Sequence, residues 1–355
     1  MPRKSRKDLP VIAITMGDPC GIGPEVIVKA FDSARFRSGC IPLVVGDRAP
    51  MERAIGLLGS GYTLASIHDG TGWIPEVIFR PQRGVIPILS RDVLTPADIE
   101  YGRPSPAACD VTVSSIAAAV KMVQSNMADA ICTCPVNKAK LYEQGFSFPG
   151  HTEYLQDLTG AKDVVMMLAG PKLRVSLATI HEALADVPAL LTKDRLRTVI
   201  RITAEAMVRD FAVKSPRIGI AGLNPHAGEA GKFGREELTI IGPVVEEFRA
   251  SASPWQVSGP WPPDTLFHRA WSGEFDAVVA MYHDQGLIPI KLAHFDNAVN
   301  VSLGLPIVRT SVDHGTAYDI AGTGKADPGS LIAAVKLASS IVENRLEFER
   351  NQRRQ

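Results

Sequence analysis

The sequence predicts an α/β protein built on a largely parallel sheet, and three observations carry that expectation. Short β-branched runs alternate with amphipathic helical stretches along the whole chain, the order that a parallel sheet with crossover helices requires. The first run feeds a glycine-rich turn that leads straight into a helix, the β-turn-α unit of such sheets. The composition is also that of a globular chain. Over 355 residues, 45% are apolar and 21% charged, which excludes wholesale disorder and gives length enough for about two packed domains.

Taken in order, Val11–Thr15 reads as a buried strand running into the turn Gly17–Pro24, with Glu25–Phe31 helical after it. Pro24 fits a first helical position, where its missing N–H does no harm. Pro42–Gly46 is a second strand, Val111–Gln124 a helix, and Ala128–Thr133 a strand stopped by Pro135. The stretch Leu58–Thr95 is rich in Gly and Pro and is expected to be irregular or edge structure. Val164–Leu168 and Leu173–Thr179 form a hairpin-like pair about Gly170-Pro171. Lys193–Phe211 and Glu236–Arg249 are helices, and Arg217–Ala221 and Asp276–Met281 are strands. Val299–Leu303 and Ile307–Thr310 flank the turn Gly304-Leu305-Pro306. Ser330–Glu347 closes the chain as a helix with a charged tail expected to fray. There is no internal repeat and no linker-like segment.

Several classes are excluded early. Lys plus Arg equals Asp plus Glu at 38 each, so the basic footprint of a polyanion-binding protein is missing and no nucleic-acid partner is expected. Five cysteines (Cys20, Cys40, Cys109, Cys132, Cys134) are odd in number and scattered, which suits reduced, buried thiols rather than a disulfide scaffold or zinc ribbon. The basic segment Met1–Pro10 is followed only by the short apolar run Val11–Met16, too brief for a secretory signal, and no other run suggests a membrane span. A cytoplasmic protein with no membrane partner is expected.

After Gly21-Ile22-Gly23 the third glycine position of a dinucleotide fingerprint holds Val26, so G-x-G-x-x-G is absent. The turn reads as a plain tight turn that could still offer N–H groups to an anion. Gly231-Lys232 and Gly324-Lys325 lack the Ser or Thr and the earlier glycine of a phosphate loop, and are decoys. His181, His226 and His283 each lie just past a strand, at the carboxyl edge where α/β sheets bind ligands. Three neutral imidazoles with an open position could hold a catalytic metal, although structural roles fit their dispersed spacing as well. Gly150-His151-Thr152-Glu153 sits at a helix start, and Lys291 and Arg309 lie near strand ends, a set suited to a phosphate or carboxylate. Asp313-His314-Gly315-Thr316 could be catalytic by composition or simply a cap and turn.

These segments together resemble one known family. Met16-Gly17-Asp18-Pro19 with Gly21-Ile22-Gly23-Pro24-Glu25, Phe148-Pro149-Gly150-His151-Thr152-Glu153, Leu223-Asn224-Pro225-His226-Ala227-Gly228-Glu229, Pro263-Asp264-Thr265-Leu266-Phe267, Met281-Tyr282-His283-Asp284-Gln285-Gly286 and Arg309–Ala317 closely resemble the 4-hydroxythreonine-4-phosphate dehydrogenase (PdxA) family. They occur in the family's order and cover about Val11 to Leu337.

The resemblance implies an isocitrate/isopropylmalate-dehydrogenase-like fold, with two α/β/α lobes around a cleft in a homodimer. Residues 1–140 plus 305–355 would form one lobe and 141–304 the other. It implies NAD or NADP held by loops, and a divalent metal (Zn, Co, Mn or Mg) on His181, His226 and His283. His151, Thr152, Lys291, Asn300 and Arg309 would bind substrate, and Asp264 or Lys291 would take the proton. The implied reaction is oxidation of the C3 hydroxyl of 4-hydroxythreonine 4-phosphate with decarboxylation to 3-amino-2-oxopropyl phosphate, in pyridoxal phosphate biosynthesis. The active site would be shared across the dimer, with His181 and His226 acting beside His283 of the partner subunit. A related branch oxidises 4-phospho-D-threonate or 4-phospho-D-erythronate and shares these motifs. Cys20 and Ala298 stand where the family commonly has a small residue and glycine, which leaves the branch open. A further relative acts on cis-dihydrodiols without phosphate, and His151-Thr152 argues against it. A non-catalytic two-lobed binding protein would leave the histidines without purpose.

Overall fold

A computed structural model describes residues 9–34, 36–68 and 83–354. The basic residues 1–8 and part of the Leu58–Thr95 stretch lie outside the described residues. The strands are β1 (Val11–Thr15), β2 (Ile41–Gly46), β3 (Thr63–His68), β4 (Val85–Ser90), β5 (Ala130–Thr133), β6 (Val165–Ala169), β7 (Arg174–Leu177), β8 (Arg217–Ala221), β9 (Gln256–Trp261), β10 (Ala277–Ala280), β11 (Val299–Leu303) and β12 (Val308–Ser311). The helices are α1 (Gly23–Asp32), α2 (Arg48–Leu57), α3 (Pro106–Gln124), α4 (Lys138–Glu143), α5 (His151–Thr159), α6 (Val187–Leu190), α7 (Lys193–Arg209), α8 (Gly242–Ala250), α9 (Pro263–Trp271), α10 (His283–His294) and α11 (Gly329–Gln352).

The chain forms two compact units, Met1–Gly160 with Pro306–Glu343, and Ala161–Leu305 with Asn344–Gln355. Residues 141–160, expected in the central lobe, lie in the first unit, where α5 packs on α3. The end of the chain from Asn344 groups with the second unit.

In the first unit the strand order is β3-β4-β2-β1-β5-β12, and every pairing is parallel. β1 is buried at all five residues, as a central parallel strand covered on both faces must be. The stretch expected to be irregular or edge structure contributes β3, at the end of the strand order, and β4 beside it; its glycines and prolines hid the individual strands. α3 starts at Ser105, whose hydroxyl accepts from Ala108 N at 3.1 Å, an N-cap worth about 1 kcal/mol. By length and composition α3 could cross a bilayer, and it is the only described helix that could. Half of it is buried and it packs on β1, β2 and β5, which marks a core helix.

The second unit runs β11-β6-β7-β10-β8-β9. Here the expectation of a largely parallel sheet fails in part. β6 pairs antiparallel with both β7 and β11, and only β7, β10, β8 and β9 are parallel. The β6–β7 connection is the expected hairpin, closed by Gly170 N donating to Leu173 O at 2.8 Å. Leu168, Val175, Leu177, Leu266, Val278 and Ile290 form its core, and truncating one such leucine to alanine costs about 2–5 kcal/mol. The helix expected at Glu236–Arg249 opens with a π turn, Glu237–Ile241, before α8.

The charged tail is helical to Gln352, not frayed from Glu347 as expected. Arg345 Nε and Nη2 donate to Asp210 Oδ1 and Oδ2 at 2.7 and 3.0 Å, and Asn344 Nδ2 donates to Asp210 O at 2.8 Å. Burial works against ionisation of Asp210, but hydrogen bonds from Arg345 and Arg209 outweigh it and hold the carboxyl below the usual range. We expect Asp210→Ala to lose about 3 kcal/mol, because the half-buried Arg345 and Arg209 are then left without their anion. Arg345→Ala should lose less, since Arg209 still pairs with Asp210. Urea unfolding of the two variants measures both, and equal losses would mean that the charge pair is not the cause.

Candidate active site

Parallel pairing sets Thr15, Thr133 and Ser311 level at the carboxyl ends of β1, β5 and β12. Arg309, on β12 opposite Ile131, is 2% exposed, and its Nη2 donates to Thr133 Oγ1 at 2.7 Å. Burial pushes its pKa down to about 10, against the pull of Cys132 and Glu153. A guanidinium so placed stays charged at neutral pH and favours an anion beside it.

That anion would meet α5. Gly150, its N-cap, is extended and offers no side chain, so the first-turn N–H groups lack the usual capping oxygen. His151 opens the helix, and its Nε2 is buried without a partner. Burial first, then Arg309 and Lys138, push its pKa down to about 3. The imidazole is therefore neutral at physiological pH and, as the Nε2–H tautomer, can donate to an oxyanion. Thr152 is half-buried at the next position.

Lys138 was missed by the sequence reading. It begins α4 after Asn137, whose Oδ1 accepts from Lys140 N at 3.1 Å. A Cβ built on Gly150 would lie 3.3 Å from its Nζ. The signal that could have found it is the one that found the histidines, a position just past a strand.

The turn at Gly17–Pro24 commits its amides to oxygens of the protein. Asp18 N donates to Pro135 O at 2.9 Å, Cys20 N to Asp18 Oδ1 at 2.8 Å, Gly21 N to Asp18 O at 3.1 Å and Ile22 N to Thr316 O at 3.1 Å. A Cβ on Gly21 would lie 2.9 Å from Thr316 O, and one on Gly23 only 2.1 Å from Met16 O. These glycines permit backbone contact, and the turn does not fit a dinucleotide pyrophosphate, which needs free N–H groups. Asp18 is buried, which raises its pKa, against the hydrogen bond that Tyr318 donates to Oδ2. Glu25 and Lys29 of α1 tie down the segment after Thr316. Glu25 accepts from Gly322 N and Gly324 N, and Lys29 Nζ donates to Gly324 O at 2.5 Å and Ala326 O at 2.7 Å. The Gly324-Lys325 pair is thus structural, as its sequence suggested.

In the second unit, β7 and β8 flank β10 in parallel. His181 and His283 follow β7 and β10, and their rings lie 5.7 Å apart between centroids. His283 Nδ1 is 2.7 Å from Asp284 Oδ1, an orientation that leaves Nε2 for a ligand. His226, past β8, is exposed in a left-handed turn with its ring 6.4 Å from Phe233. Among the described residues no His, Cys, Asp or Glu completes the pair to a group of three. Within one chain the rings of His181 and His283 approach each other. Adjacent parallel strands end side by side, whereas the His226 turn departs from its strand. Two imidazoles this close, one of them held by a carboxylate, could serve a divalent metal as a partial ligand set.

The remaining expected residues are spread over this unit. Asp264 is exposed on the first turn of α9, and Lys291 is half-buried two turns along α10. Asn300 lies on β11 opposite Leu168, with Oδ1 buried and without a partner.

The family model described as pyridoxal phosphate biosynthetic protein PdxA matches residues 38–338. A 4-hydroxythreonine-4-phosphate dehydrogenase of Geobacter metallireducens is 49% identical over 332 residues, covering 94% of this chain and 95% of the relative. A D-threonate 4-phosphate dehydrogenase of Cupriavidus necator is 45% identical over 338 residues, covering 95% of this chain and 98% of the relative. The crystal structure of a 4-hydroxythreonine-4-phosphate dehydrogenase from Klebsiella pneumoniae superposes with a TM-score of 0.83 at 38% identity, covering 95% of this chain and 99% of that one.

His151 makes the site visible in stability. Its folded pKa lies below the ordinary value of about 6.5, so between about 6.5 and about 3 the unfolded chain holds a proton that the folded chain refuses. Stability from this group is therefore lost as pH falls through that window, by at most about 1.4 kcal/mol per pH unit. We expect wild type to lose more stability than His151→Asn between pH 7 and pH 4.5 in urea titrations. Parallel losses would mean that His151 is protonated normally.

Proposed function

The chain belongs to the PdxA family of pyridoxal phosphate biosynthetic proteins, and from that premise we propose that it is a dehydrogenase that oxidises the C3 hydroxyl of 4-hydroxythreonine 4-phosphate. The observation that carries the reading is the buried Arg309 beside a neutral His151 at an uncapped helix start. A buried cation, a neutral imidazole donor and first-turn N–H groups together suit a phosphate dianion.

Arg309, His151 and Thr152 bind the phosphate, with Lys138 adding positive charge at the rim. Asn300 and Lys291 orient the amino-acid end, so that the C3–H faces its acceptor. Asp264 or Lys291 takes the hydroxyl proton. NAD or NADP would be the hydride acceptor, and a divalent metal such as Zn, Co, Mn or Mg, which His181 and His283 would help to hold, would supply Lewis acidity toward the C3 hydroxyl. The 3-oxo acid formed loses carbon dioxide to give 3-amino-2-oxopropyl phosphate. The similarity to the Cupriavidus necator enzyme favours a second reading, with 4-phospho-D-threonate or 4-phospho-D-erythronate as substrate.

The protein works as a homodimer in this reading, with His226 of the partner subunit completing the metal site. Ile288, Leu292 and Phe295 support it, being 65%, 89% and 75% exposed at helical spacing along and just past α10. An apolar stripe of that kind marks an interface.

Absorbance assays of NADH formation on the three phosphorylated acids, with and without chelator, test the reading. Chelation should abolish turnover and added metal restore it. Arg309→Ala should raise the KM for the phosphorylated substrate about ten- to a hundred-fold, as for a charge-assisted contact worth about 1.5–3 kcal/mol, and spare that for NAD. An equal loss for both ligands would show that Arg309 serves the fold instead.

The assignment of His226 to the partner is testable by complementation. His181→Ala and His226→Ala, each inactive, should regain about a quarter of wild-type activity when refolded together, because half the dimers are mixed and each has one intact site. His181→Ala with His283→Ala should stay inactive. The reverse pattern would return His226 to the chain that carries His181.

A further inference from the structure

We propose that Glu237 is the positioning residue for His226, its carboxylate clamping the left-handed turn that carries the histidine. The inference rests on the metal reading of His226.

The turn is unusual. His226, Ala227, Gly228, Glu229 and Ala230 have φ of 52°, 52°, 81°, 44° and 54° in succession. Four of the five carry a Cβ, which disfavours this region, so the local sequence alone would not hold the conformation. Among the described residues the ring of His226 makes no hydrogen bond, and its nearest ring neighbour is Phe233. Its placement therefore depends on the backbone.

The backbone depends on Glu237, which is 4% exposed. Oε1 accepts from Leu223 N at 2.8 Å and from Asn224 N at 2.7 Å, and Oε2 accepts from Asn224 Nδ2 at 3.0 Å. The same amide nitrogen donates to Glu236 Oε2 at 2.7 Å. Glycines make the slot for the carboxylate. A Cβ on Gly228 would lie 2.6 Å from Oε2, and one on Gly222 3.2 Å from Oε1. A Cβ on Gly234 would lie 2.3 Å from Asn224 Nδ2. The carboxylate thus fixes the entry to the turn and lies against Gly228 within it, and the same residue begins the π turn Glu237–Ile241. Such turns recur at functional sites.

Glu237→Gln keeps the shape but turns one acceptor into a donor facing N–H groups. Asn224→Ala removes the side-chain half of the clamp and serves if the first variant folds poorly. Hydrogen exchange of residues 222–235 in the metal-free protein reads the clamp. Competition between a chelator and the protein for cobalt reads the metal site, with His226→Ala as reference. We expect exchange in this segment to rise at least tenfold with the rest of the chain unchanged, and cobalt affinity to fall about 10- to 100-fold. Wild-type exchange in both variants overturns the clamp. Faster exchange with unaltered affinity overturns the positioning role where His226→Ala does weaken cobalt. If His226→Ala leaves cobalt binding unchanged, the metal reading has failed, and faster exchange still supports the clamp.

Discussion

Parallel strands end together, and the chemistry available to each unit follows from that. In the first unit, β1, β5 and β12 place Thr15, Thr133 and Ser311 level. Arg309, Cys134 and the segment after Val312 are brought to one edge by chain direction alone. In the second, β7, β10 and β8 run the same way, so the residues after them are delivered to a common edge. Backbone groups at strand ends are short of partners, and loops there can be exchanged without disturbing the sheet.

Electrostatics distinguish this edge of the first unit from a structural one. A buried guanidinium is tolerated where polar groups and an anion offset its desolvation. Arg309 has Thr133 and the nearby charge of Glu153, and the neighbouring histidine stays neutral rather than adding a second buried cation. The aspartate and glutamate of the glycine turn do different work. Glu25 and Asp18 spend their oxygens on backbone N–H groups and on Tyr318, which fixes the segment from Thr316 to Gly324. Family motifs therefore include residues whose work is to hold the loop.

The histidines of the second unit separate in the same way. His181 and His283 are brought close by strand pairing, whereas His226 is held by a turn that local sequence disfavours. Strain of this kind persists only where surrounding contacts over-determine it. Here they come from Glu237, Asn224 and glycines too small to obstruct them.

The sequence by itself determined the α/β class, nine of the strands, five of the helices and the candidate ligands, because periodicity, turn residues and strand-end position are local signals. It gave no individual strands for β3 and β4, where Gly and Pro break the pattern, and it missed β9, α2, α4, α6, α9 and α10, which are short or weakly patterned. Pairing direction about β6, the grouping of residues 141–160 with the first unit and the burial of Arg309 were decided only by tertiary structure. So was the choice of which two histidines meet. Each depends on contacts between residues far apart in the chain, and no local pattern encodes them. Glu237 shows this most plainly. In the sequence it is one acid in a helical stretch, and only folding brings its carboxylate to the N–H groups thirteen and fourteen residues earlier.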